Sequence, residues 1–189
     1  MNTQLNLLSA ENSLLIVIDQ QPKLSAVMPK AEHRPVLTNI GSLVEAAGIL
    51  DIPVFLTELC PNILGETDKS ISKRLIGTRH IFSKTSFSCF AAEGFYMALR
   101  HSGRRQIILV GQEAHLSVLQ TALELFHIGY DVYVVEDAIC SRKTRHSINA
   151  VQRLQKHDVS IVNYESVLFE WIRDSSHPNF RRVSALLRQ

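Results

Sequence analysis

The stretch LLIVID at residues 14–19 is apolar at five consecutive positions and then ends in a carboxylate, Asp19. A strand with one face in water alternates apolar and polar residues. A run that is apolar at every position instead predicts a strand buried on both faces, as in a parallel sheet covered by helices. We therefore predict a parallel strand at residues 14–18, with Asp19 at its carboxyl end.

Five more β-prone runs follow, spaced so that a helix fits between successive strands. They lie at residues 52–56, 80–84, 106–110, 132–135 and 159–162. This alternation predicts βαβ units with right-handed crossovers. We predict a three-layer, doubly wound α/β fold with a mainly parallel sheet of about six strands in the order 3-2-1-4-5-6. The length of 189 residues suits a single domain over residues 1–189.

Helical periodicity separates the predicted strands. Pro35 is expected to open the first long helix, because proline is well placed in a first turn. A helix is predicted over residues 91–100, closed by Gly103, and another over residues 115–126, closed by Gly129. Further amphipathic segments are predicted at residues 148–155, 165–172 and 180–187.

Composition and charge restrict the class of partner. Hydrophobic residues make up 46% of the chain and charged residues 20%, which is typical of a globular protein and not of a disordered one. The formal net charge is only +2, with both signs mixed along the sequence. We therefore expect a small-molecule substrate as the partner, and neither nucleic acid nor a membrane surface.

The cysteines and the amino terminus bear on the compartment. Cys60, Cys89 and Cys140 are an odd number and far apart, with no CxxC pair, which suits a reducing compartment and offers no zinc spacing. The first dozen residues show no signal-peptide pattern, and the longest apolar runs are too short to span a bilayer. The expectation is a soluble, cytoplasmic protein.

Polar residues follow three of the predicted strands. Asp19 follows the first, Lys84 ends the third, and Ser117 lies a few residues after the fourth. In a doubly wound sheet the ligand crevice lies outside the carboxyl ends of the strands, where the strand order reverses. Each residue alone also has an ordinary structural interpretation, as a helix cap, a solvated lysine or a helix residue. Their coincidence favours a functional site.

Several strings now resemble a known family. They are LLIVID at 14–19 with Gln21, FSKT at 82–85 with FS at 87–88, and EAH at 113–115 with VLQTAL at 118–123. Further matches follow in order, at 137–138, 141–142, 165–166, 168–170 and 177–178. Together they resemble the isochorismatase-like cysteine hydrolases, in particular the isochorismatase-domain-containing subgroup. No GxGxxG motif or P-loop competes with this interpretation.

The resemblance implies a catalytic triad of aspartate, lysine and cysteine. Transferred to this sequence, Asp19 is the proton acceptor, Lys84 is the cation beside it, and the nucleophile position falls on Ser117. The resemblance also implies a cis peptide between Gln112 and Glu113 that aims the N–H groups of Glu113 and Ser117 as an oxyanion hole.

Further expectations concern the surroundings of the triad. Gln21 and His115 flank the site and are expected to contact substrate, and Gln112 and Glu113 complete the binding loop. Because the Asp/His cluster of the related nicotinamidases is missing after the second strand, no metal and no cofactor are expected. The resemblance also implies a homo-oligomer.

Ser117 leaves several functions open. A serine hydroxyl is far less acidic than a thiol, so a pair tuned for cysteine does not automatically activate it. The favoured hypothesis is a hydrolase of amide or vinyl-ether bonds in which Ser117 or Asp19 alone supports the reaction. The alternatives are a catalytically impaired binding protein, an engineered cysteine-to-serine variant of an active enzyme, and a thiol mechanism that moves to Cys89.

Overall fold

The apolar run at residues 14–18 lies in the middle of a parallel sheet. The computed structural model describes residues 7–75 and 80–188, and the structural statements below refer to these residues. Within them, six strands pair in the order β3-β2-β1-β4-β5-β6, and every pairing is parallel. The strands are β1 Ser13–Ile18, β2 Val54–Leu59, β3 His80–Lys84, β4 Gln106–Gln112, β5 Asp131–Cys140 and β6 Ser160–Val162. The predicted fold class and strand order are confirmed.

Three strands end later than the sequence pattern predicts, and one of these is β4, which was expected to stop at Val110 and continues to Gln112. The second run was expected at residues 52–56, but β2 begins at Val54 and continues to Leu59. The fifth was expected to stop at Val135, but β5 continues to Cys140. Its register against β4 shifts between Leu109 and Gly111, and pairing then resumes. A strand tolerates polar residues where its register shifts. The first polar residue after Val135 therefore does not mark the end of β5.

Helices cover both faces of the sheet. In the described residues they are α1 Pro22–Ser25, α2 Lys30–Ile49, α3 Pro61–Leu64, α4 Lys69–Ser72, α5 Phe95–His101, α6 Leu119–His127, α7 Thr144–Gln155, α8 Tyr164–Ile172 and α9 Phe180–Ala185. Short 3-10 turns add Cys89–Ala91 and Leu186–Arg188. None of the described helices is both long enough and apolar enough to cross a bilayer.

Four helix starts differ from the prediction, and one of these is that of α7, which begins at Thr144 and not at residue 148. Pro35 does not open the first long helix, because α2 begins at Lys30 and contains the proline in its second turn. The helix expected from residue 91 begins only at Phe95, since Gly94 has a left-handed backbone (φ 74°) that a continuous helix cannot contain. The helix after β4 begins with a π turn, Ala114–Val118, and only then becomes regular.

Strand β1 divides the core into two layers. Leu15 and Val17 belong to the apolar cluster on the side of α2, α8 and α9. Leu14, Ile16 and Ile18 belong to the cluster on the side of α5, α6 and α7. Because successive side chains of a strand point to opposite faces, five consecutive apolar residues are what a doubly covered strand requires.

A close contact between β1 and β4 fixes the position of the residue that follows β1. Gly111 has φ 112°, and a Cβ at this position would lie 2.1 Å from the carbonyl oxygen of Ile18. Only glycine fits such an approach. The backbone of Ile18, and with it Asp19, is therefore held directly against the end of β4.

We expect Gly111→Ala to reduce the free energy of unfolding by roughly 3 kcal/mol or more, because the new methyl group clashes with backbone that cannot move aside. Gly129→Ala is the matched control, since Gly129 also has a positive φ of 90° but meets no atom within 4 Å. That variant should lose only about 1 kcal/mol. Guanidinium unfolding of both variants provides the measurement, and equal stabilities would contradict the packing described.

Candidate active site

Asp19 is the centre of a buried hydrogen-bonded group at the carboxyl ends of the strands. It follows β1 with a left-handed backbone (φ 50°), and it is 0% exposed. Its Oδ1 accepts a hydrogen bond from the hydroxyl of Thr57 at 2.8 Å. Its Oδ2 accepts from Lys84 Nζ at 2.6 Å and from the Ser117 hydroxyl at 2.7 Å. One carboxylate thus receives three donors.

Lys84 ends β3, and its ammonium group is fully enclosed. Besides Asp19, its Nζ donates to the carbonyl oxygen of Phe87 at 2.9 Å and to that of Ser86 at 3.3 Å. It also lies 3.4 Å from Ser117 Oγ. A buried ammonium needs both a counter-charge and hydrogen-bond acceptors, and this arrangement supplies both.

Ser117 approaches the same carboxylate from the turn that follows β4. It lies in the π turn Ala114–Val118 and is 2% exposed. The peptide bond that leads into this turn, between Gln112 and Glu113, is cis. The structure therefore brings together Asp19, Lys84 and Ser117, the three residues that the sequence analysis placed in one crevice.

Glu113 anchors the loop that carries Ser117. Its carboxylate accepts from the backbone N–H of Arg142 at 2.9 Å and from the guanidinium of the same residue. Burial alone would raise the pKa of Glu113, but the hydrogen bonds and charge of Arg142 outweigh it and hold this pKa below its ordinary value. The Glu113 side chain is almost fully buried, whereas that of Arg142 is half exposed. Glu113 is thus a fixed anion that ties β4 to β5.

Gln21 and Gln112 lie behind the site. Gln21 exchanges hydrogen bonds with the backbone of Leu59 at the end of β2 and also donates to the carbonyl of Gly65. Gln112 donates to the carbonyl oxygen of Asp19 at 3.2 Å and to Ser25. Both glutamines are 0% exposed. Their amides therefore position the loops around Asp19.

His115 points away from the triad towards the end of β5. Its Nδ1 lies 2.9 Å from the hydroxyl of Ser141, and its ring centre lies 4.4 Å from that of His146. Burial lowers the pKa of His115; Glu113 opposes this effect, and positive charge on His146 adds to it. His115 therefore packs at one side of the loop and is favoured in its neutral form.

A small cavity opens onto Ser117. Its volume is about 50 Å³, and its lining consists of Leu24, Leu59, Phe87, Glu113, Leu116, Ser117 and Arg142. The four apolar residues were not singled out in the sequence, and neither was Thr57 beside Asp19. Leu59 and Thr57 lie at the carboxyl end of β2, so extending the strand-end rule to that strand would have found them.

Cys89 packs in the interior of the protein. It is 0% exposed, and its Sγ lies 3.8 Å from Thr57 Oγ1. Burial raises the pKa of Cys89 to about 11, although the charge on Lys84 opposes this shift. Burial likewise raises the pKa of Cys140 to about 12. Since the thiolate is the nucleophilic form, the structure disfavours a thiol mechanism at Cys89.

In the part of the chain that the structure describes, no group of three or more His, Cys, Asp or Glu side chains is arranged to hold a metal ion.

Comparison with known proteins identifies relatives over almost the whole chain. The family profile described as Isochorismatase domain matches residues 13–165. Isochorismatase domain-containing protein 1 of Danio rerio is 32% identical over 187 residues, which cover 98% of this chain and 64% of that protein. The secreted isochorismatase effector Isc1 of Phytophthora sojae is 31% identical over 192 residues, which cover 98% of this chain and 89% of the effector.

Solved structures agree with these relatives. The structure of MAR1 ribonuclease from Caenorhabditis elegans matches with a TM-score of 0.90 and 31% sequence identity. The match covers 96% of this chain and 92% of that one. The sheet order and the helical layers are therefore shared with a protein of known structure.

We expect iodoacetamide to alkylate Cys60 in the folded protein at about pH 8 and to leave Cys89 and Cys140 unmodified. Cys60 is partly exposed, whereas a thiol with a pKa of about 11 is a thiolate in only about one molecule in a thousand at that pH. Peptide mass spectrometry measures each site, and denatured protein, in which all three react, is the control. Alkylation of native Cys89 as fast as Cys60 would contradict this placement.

Proposed function

We propose that this chain, which belongs to the isochorismatase family, is a hydrolase of a small molecule in which Asp19 accepts the proton of Ser117. One observation carries the proposal: a single buried oxygen, Asp19 Oδ2, accepts from both the Ser117 hydroxyl and the Lys84 ammonium. A hydroxyl bonded to a carboxylate at 2.7 Å can transfer its proton directly. This geometry supports nucleophilic catalysis by serine.

The reaction would proceed in two stages. Ser117 Oγ attacks the carbonyl carbon of an amide as its proton passes to Asp19 Oδ2, and the negative charge develops on the carbonyl oxygen. The amine then leaves with the proton from Asp19, and an ester to Ser117 remains. Water hydrolyses this ester, with Asp19 again accepting a proton, and restores the free hydroxyl.

Lys84 is the counter-charge beside Asp19 and Ser117. Its ammonium lies 2.6 Å from the accepting oxygen and 3.4 Å from Ser117 Oγ. A cation this close stabilises the carboxylate before attack and the developing negative charge during attack. The proposed role of Lys84 is therefore to orient Asp19 and to stabilise negative charge near Ser117. The carbonyl oxygens of Ser86 and Phe87 hold the ammonium group in this position.

The developing oxyanion requires donors near Ser117. We assign this role to the backbone N–H groups of Glu113 and Ser117, because both residues border the small cavity and lie in the first turn after β4. The contact between Glu113 and Arg142 holds that turn in place. Donors that are fixed before the reaction stabilise charge without the cost of reorganising.

The cavity restricts the substrate. Its volume of about 50 Å³ is far below the roughly 300–1,000 Å³ of sites that enclose a whole ligand. Its walls are mainly apolar, with Arg142 at the exposed side. Only the reacting group of the substrate would enter, and the remainder would lie outside, against Phe87 and Arg142.

A vinyl-ether substrate is the second candidate, because serine replaces the cysteine that the family resemblance implies. In that reaction Asp19 gives a proton to the vinyl carbon, and water adds to the resulting cation and returns a proton to Asp19. The hemiketal then breaks its ether C–O bond to release a carbonyl compound and an alcohol, and no nucleophilic side chain is needed. It requires Asp19 to act as a proton donor, whereas in the structure Asp19 Oδ2 accepts a hydrogen bond from the hydroxyl of Ser117. We therefore rank the amide reaction first. The third candidate is a binding protein without turnover.

Asp19→Asn should lower kcat on the best substrate of an amide and vinyl-ether panel by roughly 10²–10⁴-fold, because no carboxylate remains to move the proton. Asp131→Asn is the matched control at an exposed position and should retain wild-type turnover. Circular dichroism checks that Asp19→Asn is folded. Unchanged turnover in a folded Asp19→Asn protein would refute the assignment.

Ser117→Ala separates the candidate reactions. Loss of turnover by a comparable factor is expected if Ser117 is the nucleophile, whereas an Asp19-driven vinyl-ether reaction would survive the substitution. Steady-state kinetics on the same panel provides the measurement. Turnover that persists in Ser117→Ala excludes the serine nucleophile. An absence of turnover by the wild-type protein, with ligand-induced thermal stabilisation, favours the binding protein.

A further inference from the structure

A second cavity lies at the opposite end of the sheet, between the end of α5 and the beginning of β5. Its volume is about 490 Å³, which falls within the range of roughly 300–1,000 Å³ typical of small-molecule sites. We name it the arginine groove, and it is lined by Tyr96, Arg100, Gly103, Arg104, Arg105, Ile128, Gly129 and Tyr130. Three of these eight residues are arginines, and none is acidic.

Two of the arginines are held in place by backbone carbonyl groups. Arg104 Nη1 donates to the carbonyl oxygen of Ala10 at 3.0 Å and also to that of Glu11. Arg105 Nη2 donates to the carbonyl oxygen of Gly129 at 2.9 Å. These contacts restrict the side chains through uncharged carbonyl groups, so part of the entropic cost of ordering them for a ligand is already met.

The third arginine lies beside two tyrosines. The guanidinium carbon of Arg100 is 5.9 Å from the centre of the Tyr96 ring. Burial raises the pKa of Tyr130, Tyr96 adds to that rise, and the charges of Arg100 and Arg105 oppose it. Both guanidinium groups are therefore close enough to the Tyr130 hydroxyl to act on it electrostatically. The groove combines cations with phenol groups.

The charge of the groove is uncompensated. Within residues 7–75 and 80–188, none of the three arginines forms an ion pair with a carboxylate. Guanidinium groups present paired N–H donors that match the oxygens of a phosphate, and several of them around one cavity reinforce each other. We propose that the arginine groove binds a phosphate-bearing small molecule.

This site is remote from the triad. Arg105 immediately precedes β4, which runs for 7 residues to Gln112, and Ser117 follows beyond its other end. A strand rises about 3.3 Å per residue, so about 20 Å separates the two ends. The proposed phosphate site is therefore distinct from the hydrolytic site, and it stands whether or not Ser117 is catalytic.

Isothermal titration with inorganic pyrophosphate at low ionic strength tests the proposal on the full chain. Wild-type protein should bind it saturably, and Arg100→Gln with Arg105→Gln should weaken binding by about tenfold or more, since charge-assisted hydrogen bonds are lost. Arg104 is retained because it anchors residues 10 and 11. Arg153→Gln, an exposed position on α7, removes the same type of charge and should leave affinity within about twofold.

Binding of citrate tests whether the groove distinguishes phosphate groups from other anions. Like pyrophosphate it carries several negative charges, but it has no phosphoryl group, and it should bind at least about tenfold more weakly if guanidinium groups recognise phosphate. Equal affinity for citrate would reduce the site to general charge attraction and overturn the proposal.

Three further results would also overturn it. The first is that wild-type protein fails to bind pyrophosphate saturably. The second is that the folded double variant keeps its affinity, and the third is that Arg153→Gln loses as much affinity as the double variant. Circular dichroism of each variant confirms folding. Amide shifts in an isotope-labelled sample provide an independent readout, because pyrophosphate should move the signals of Gly103, Gly129 and Tyr130 and not that of Ser117.

Discussion

Asp19 and Lys84 form an ion pair with both side chains fully removed from water. Burying a charge costs several kcal/mol per ion, and only close pairing together with further hydrogen bonds offsets that cost. Thr57 and Ser117 supply these bonds to Asp19, and the carbonyl of Phe87 supplies one to Lys84. The pair joins β1 to β3, which are separated by β2 and therefore lie about 10 Å apart, and the two side chains together with their 2.6 Å contact span this gap. The arrangement of the site therefore depends on the strand order.

A serine hydroxyl depends on Asp19 and Lys84 more than a thiol at the same position would. A thiol loses its proton readily near a cation, whereas a hydroxyl needs a base in contact with it. Asp19 provides that contact at 2.7 Å, and the glycine at position 111 lets β4 approach β1 closely enough for Ser117 to reach it. The close backbone contact at Gly111 thus lies next to Asp19, at the strand ends from which the two residues of the proposed hydrolysis extend.

Sequence patterns predicted the framework of the fold better than the directions of individual side chains. Apolar runs located five of the six strands, a weaker β-prone pattern located β3, and the rule of strand ends grouped Asp19 with Lys84 and Ser117. The roles of Gln21 and Gln112 did not follow. Gln21 lies in a loop, where periodicity carries no information, and Gln112 lies in the part of β4 beyond Val110, where the apolar run ends. Asp19 itself has φ 50°, which no hydrophobic pattern signals. The partner of Glu113 is 29 residues away, a pairing that only the sheet creates.

The reaction of the protein with methanesulfonyl fluoride tests the central claim most directly, because this small electrophile suits a cavity of about 50 Å³ and reacts with a serine hydroxyl that has been activated by a base. Mass spectrometry follows its incorporation at Ser117 in wild-type protein and in folded Asp19→Asn. If Asp19 accepts the serine proton, wild-type Ser117 should be labelled at least about 100-fold faster than the same residue in Asp19→Asn. Equal rates in the two proteins, or no labelling of wild-type Ser117, would contradict the account.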